Sequence, residues 1–163
     1  MEKWATFAEI IGAAAAALVG LLFVAVSIRV NVIVASKELR NRAAQALSLF
    51  FSVLLVAIVL AIPREAHQVL GGELIAIAVT LVAVLVLLDR RARSGIEAAS
   101  SQPVAQLLDA VSPNGITSVL LLASGVTVTV GSKAGLYILV APVISGLGGG
   151  VVSAWLLLTK VTD

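Results

Sequence analysis

The chain has 163 residues, of which 60% are hydrophobic and 12% are charged, and its mean hydropathy is +1.12. A soluble domain carries roughly 25% charged residues, so the composition excludes an ordinary soluble globular domain and predicts an integral membrane protein. There is no cysteine, which excludes disulfides and thiolate chemistry, and the long apolar runs without alternation favour membrane-spanning helices over β-strands.

The first predicted span covers residues 10–28, which carry no charge. At about 1.5 Å per residue it nearly matches a hydrocarbon core of roughly 30 Å. It exceeds the roughly 7–15 apolar residues of a signal peptide, so we expect it to be retained. One face of this helix carries small residues, and the opposite face carries large apolar ones. Small residues allow close helix approach in lipid, so we expect the thin face, with the small residues, to meet protein and the bulky face to meet lipid. On a helical wheel the thin face holds Glu9, Ala13, Ala16, Gly20 and Ser27, and the opposite face holds Ile11, Leu18, Leu22 and Arg29.

Four further spans are predicted along the chain, at residues 43–62, 71–88, 116–130 and 136–158. Pro63 stands where the second should stop, and the turn-forming run 112–115 should separate a short interfacial helix at 103–111 from the fourth span. The fold class expected is therefore all-α, a polytopic transmembrane helix bundle of about five spans in one domain, 1–163. Because 116–130 is short, a four-span version stays open.

Positive charge predicts the orientation of the bundle. Eight Lys and Arg residues fall on one side of the five-span arrangement and three on the other. The positive-inside rule then places the N-terminus outside and the C-terminus in the cytoplasm. The four-span version gives the same balance, so charge does not distinguish the two. Arg29, Arg90, Arg91 and Arg93 are expected to contact lipid headgroups.

Glycines and alanines mark the expected helix contacts. Close packing is the interpretation favoured for both the first and the last span. A broken last helix at residues 148–150, lining an ion or substrate site, is the alternative. The helix-packing residues predicted are Gly12, Ala16, Gly20, Gly146 and Gly149.

Polar residues within the spans are few. Glu9 and Glu73 are candidates for a proton or cation role, because a carboxylate inside a membrane protein is costly unless it has a function. Thr80, Gly125 and Thr129 could form a polar lining, although hydroxyls in such helices commonly bond to backbone or to a neighbouring helix. Glu65 and His67 match no specific metal-binding spacing, so we expect no metal site.

No hydrolase, metalloprotease or nucleotide-binding motif is present, so we expect no enzyme, no catalytic residue and no cofactor. The basic residues lie in short loops beside the spans, so we expect no nucleic-acid partner. The opening segment, Trp4 to Ser27, resembles the first helix of uncharacterised small multi-span proteins of the bacterial inner membrane, a resemblance that brings no functional residues with it.

Two hypotheses follow for the function. The first is a self-associating multi-pass protein of the bacterial inner membrane, a homo-oligomer that forms a pore or permeation path. The second is a non-catalytic accessory or scaffold subunit of a larger membrane complex.

Overall fold

The computed structural model describes residues 2–28, 30–62, 67–93, 113–132 and 134–160. Within these ranges all the regular structure is helical. The helices are α1 (Glu2–Ile28), α2 (Val30–Ala35), α3 (Lys37–Ala61), α4 (His67–Arg93), α5 (Pro113–Thr129), α6 (Ala134–Ile138) and α7 (Val140–Lys160). The interfacial helix predicted at 103–111 lies outside the described residues.

Among the residues that the structure describes, four stretches are long and apolar enough to cross a membrane. Three fall within α1, α3 and α4, and the fourth runs from Ala134 to Leu158 through α6 and α7. The fifth apolar helix, α5, has 17 residues and would be about 25 Å long. The all-helical bundle is thus confirmed, and the protein has the helices of a membrane protein, while the number and direction of spans stay predictions.

Helix starts depend on local chemistry that hydropathy does not register. Ser36 caps α3, its hydroxyl accepting from the Leu39 backbone N–H at 3.4 Å. The prediction of a turn through 112–115 was wrong for residues 113–115, because Pro113 begins α5. Proline suits that position, since the first N–H groups of a helix have no intrahelical acceptor in any case.

The end of α5 turns sharply into α6. Gly131 has a φ of +81°, a conformation that favours glycine, and its N–H donates to the Val128 carbonyl at 2.9 Å. The regular helix is interrupted at Leu139, three residues before Pro142, because proline has no N–H to donate to the carbonyl four residues earlier. The chain keeps its helical course there, since the Val143 N–H still donates to the Leu139 carbonyl at 3.3 Å. From Val140 to Lys160 the helix is continuous, so residues 148–150 do not break it and the broken-helix alternative at that place was wrong.

Helix α3 is the centre of the bundle, in contact with α1, α4 and α7, while α5 packs on both α4 and α7. One buried cluster joins all five long helices and includes Ala15, Val53, Leu74, Leu121 and Val143. A second lies toward the ends of α1 and α7 and the start of α3. Its buried members are Leu22, Ile33, Leu39, Ala46, Phe50 and Leu157.

Candidate functional site

Helix α1 packs with the face that we expected to meet lipid. Ala8, Ile11, Ala15 and Leu22 are buried, and α1 rests mainly on α3. The prediction that Ile11 and Leu22 face lipid was therefore wrong. Interdigitated bulky and small side chains make more dispersion contacts with α3 than a smooth stripe of alanine and glycine would.

The opposite, thin face of α1 points away from the bundle. We call it the outward face; its residues Glu9, Ala13, Ala16, Gly20 and Ser27 are all exposed. A Cβ added at Gly20 would have nothing within 4 Å. Ala16 and Gly20 are four residues apart, which is the small-xxx-small spacing of closely packed membrane helices. Both residues are exposed within this protomer, so the helix partner expected for this face stays a prediction.

The other glycines expected to pack lie inside the protomer. A Cβ added at Gly12 would be 3.2 Å from the Cβ of Ala57 on α3, and one added at Gly146 would be 3.1 Å from Cγ2 of Val53. Gly149 is buried as well. The lack of a side chain at Gly12 and at Gly146 lets α1 and α7 lie close to α3.

The two candidate carboxylates stand on different helices. Glu9 is exposed on the outward face of α1, whereas Glu73 is partly buried on α4. Helix α3 packs against both α1 and α4, and it lies between the two. Glu65 lies outside the described residues, and in the described ranges no group of three or more His, Asp or Glu side chains is placed to hold a metal ion.

The hydroxyls of the expected polar lining bond to their own helices. Thr80 is exposed and donates to the Ala76 carbonyl at 2.8 Å, and Thr129 donates to the Gly125 carbonyl at 2.8 Å. Gly125 is buried, and a Cβ there would be 3.2 Å from the Gly71 carbonyl oxygen. Gly125 and Thr129 thus lie at a close crossing of α4 with α5, whereas Thr80 is exposed on α4.

A second group of hydroxyls, which the sequence analysis did not identify, does join different helices. Thr117 of α5 and Ser145 of α7 are 2.7 Å apart at their oxygens. Nearby, Ser52 of α3 and Pro142 of α7 line a cavity of about 10 Å³ together with Thr117. A proline within an apolar run was the available signal, since the backbone it frees is often satisfied by neighbouring Ser and Thr.

The basic residues expected to contact lipid headgroups are described only in part. Arg90 is exposed near the end of α4. Arg29, and the side chains of Arg91 and Arg93, lie outside the described residues. At the start of α3, Lys37 and Arg40 are exposed as well, so this end of the bundle carries positive charge at its surface.

No protein-family model, curated protein or solved structure matches this chain.

Proposed function

We propose that the protein is a non-catalytic, homo-oligomeric membrane protein whose protomers join through the outward face of α1. The observation that carries this proposal is the exposure of Ala13, Ala16 and Gly20 on a helix long enough to cross a membrane. Lipid chains gain little from a thin face, whereas a second helix can approach it closely and gain van der Waals contacts along its whole length.

A permeation path between protomers is the activity this assembly favours. Closed oligomers of identical chains are arranged around a symmetry axis. In a ring of three or more protomers the two edges of the outward face could pack against neighbouring α1 helices while its centre lines that axis. Glu9 would then stand near one end of the path and Ser27 near the other, with alanine and glycine between them. The protomer's own centre is filled by Leu49, Leu74 and Leu121, so a path between protomers needs no opening of the bundle.

Native mass spectrometry after gentle extraction tests the assembly. We expect a single homo-oligomer for the wild type and monomer for Gly20→Leu, because bulk on the outward face blocks close approach. The matched control is Gly148→Leu, since Gly148 also has nothing within 4 Å of an added Cβ but lies on α7; it should remain oligomeric. A monomeric wild type, or equal behaviour of the two variants, would overturn the proposed interface. A stoichiometric foreign subunit would favour the accessory-subunit hypothesis.

Planar-bilayer recording tests the path separately. The wild type and Gly148→Leu should conduct, Gly20→Leu should not, and Glu9→Gln should reduce cation over anion selectivity, because it removes a negative charge at the entrance. An oligomer that stays silent with cations and anions across the pH range would refute the path while leaving the assembly intact.

A further inference from the structure

A groove separates α1 from α7, nearly half a turn around α1 from the outward face. Both helices rest on α3, but they touch each other much less than they touch α3. The groove encloses about 190 Å³, and all nine residues that line it are apolar or aromatic: Leu18, Leu21, Leu22, Ala25, Phe50, Val151, Ala154, Trp155 and Leu158. Leu21 and Trp155 are each 67% exposed, so the groove opens sideways toward the membrane.

The floor of the groove is a buried aromatic ring packed against α7. Phe50 is only 1% exposed, and a Cβ added at Gly150 would overlap its ring. Glycine at position 150 therefore lets α7 lie directly against the aromatic ring. The depth of the groove is thus determined by the packing of α3 against α7.

The groove lies in the half of the bundle nearest its basic end. Its walls belong to the last turns of α1 and α7, which end at Ile28 and Lys160. Its floor is Phe50, near the middle of α3, which begins at Lys37. Arg42, Ala46 and Phe50 follow one another at intervals of four, so they lie along one ridge of α3. Arg42 stands about 12 Å before Phe50 along the helix axis, close to the roughly 15 Å depth of one leaflet of hydrocarbon.

We propose that this groove binds one acyl chain of an anionic phospholipid from the leaflet at the basic end, with the headgroup near Arg42. An apolar lining without a hydrogen-bonding floor suits a hydrocarbon chain, and cationic side chains near the surface attract anionic headgroups. A second protein helix fits poorly. With its side chains a helix is about 10–12 Å across, and over the length of this groove it would occupy several times the enclosed volume.

Quenching of Trp155 fluorescence by brominated lipids tests the proposal. The chain has two tryptophans, so Trp4→Phe leaves Trp155 as the reporter. The full-length protein is reconstituted in phosphatidylcholine vesicles, and phosphatidylglycerol with dibrominated acyl chains is titrated in. Brominated phosphatidylcholine serves as the comparison. We expect about a fivefold preference for the anionic lipid, the magnitude one basic residue near the surface supplies.

Two pairs of variants identify the site. Arg42→Gln should abolish most of the preference, whereas Arg40→Gln removes the same charge from another face of α3 and should retain it. Ala25→Phe should fill the groove and reduce quenching by both lipids, whereas Ala76→Phe, at an exposed position on α4, should not. If Ala25→Phe does not fold, the comparison of Arg42→Gln with Arg40→Gln tests the proposal by itself.

Equal quenching by the two lipids, or equal loss of preference in the two arginine variants, would overturn the proposal. Protection of Trp155 from both lipids would overturn it too, because a protein segment would then occupy the groove. Neither Arg42 nor Ala25 belongs to the outward face, so these outcomes are independent of the proposed oligomer.

Discussion

Gly71 of α4 and Gly125 of α5 face each other where the two helices cross. A Cβ added at Gly71 would lie 2.8 Å from the carbonyl oxygen of Gly125 and 2.6 Å from the backbone nitrogen of Thr129. Both distances are shorter than a carbon side chain allows against backbone. The crossing therefore depends on glycine, since backbone atoms, unlike the end of a flexible side chain, move only when the whole helix moves.

Gly71→Ala should separate α4 from α5 and destabilise the bundle. We expect a loss of about 1–3 kcal/mol in the free energy of unfolding, typical of overpacking. Titration from mild detergent into SDS, followed by circular dichroism, measures it. Gly72→Ala is the control in the same turn, because nothing lies within 4 Å of a Cβ there. Equal stability of the two variants would show that the crossing tolerates a methyl group.

Gly150→Ala should disturb the contact between α7 and the ring of Phe50. The ring is buried and has little room to turn aside, so a loss of about 1–3 kcal/mol is expected in the same titration. Gly148→Ala, two residues earlier with open space around it, should leave the midpoint close to that of the wild type. If the double variant Gly150→Ala with Phe50→Leu regains the free energy of unfolding that Gly150→Ala loses, the ring is the obstacle.

Ser124→Ala should lower the free energy of unfolding less than Gly71→Ala or Gly150→Ala does. The Ser124 hydroxyl is buried and donates to the Gly135 carbonyl of α6 at 2.8 Å. That carbonyl also accepts from the Leu139 N–H at 3.1 Å, so it keeps a partner in the variant. We expect a loss of about 0.6 kcal/mol, the average for hydrogen bonds between membrane helices.

The control for that substitution is Ser118→Ala. Ser118 is also buried, but its hydroxyl donates to the Asn114 carbonyl of its own helix. Its removal should leave the unfolding midpoint nearly unchanged. A larger loss from Ser118→Ala than from Ser124→Ala would contradict this interpretation of the two bonds.

An aromatic pair joins the start of α1 to α6. The rings of Trp4 and Tyr137 are 5.5 Å apart at their centroids and 74° from parallel, which is the edge-to-face arrangement. A double-mutant cycle with Trp4→Leu and Tyr137→Leu should give a coupling energy of about 0.5–1.5 kcal/mol. The cycle between Tyr137 and Phe51, a distant exposed residue of α3, should give none.

The class of the protein and the approximate positions of its apolar helices could be predicted from the sequence. Those properties depend on composition and on runs of apolar residues, which need no tertiary contact to be recognised. The ends of the helices were harder to predict, because Ser36 and Pro113 act through backbone hydrogen bonding and not through hydropathy. The wheel also separated the two faces of α1 correctly, with Ala16 and Gly20 on one and Ile11 and Leu22 on the other.

Which of those two faces of α1 turns inward depends on the packing of the whole bundle. In water the hydrophobic effect would choose the apolar face, but in lipid both faces of α1 are compatible with their surroundings, and the choice depends on how side chains interdigitate with α3. For the same reason the crossing of Gly71 with Gly125 and the groove floored by Phe50 could not be derived from periodicity. Each depends on which residue of another helix packs opposite, and the periodicity of one helix carries no information about that.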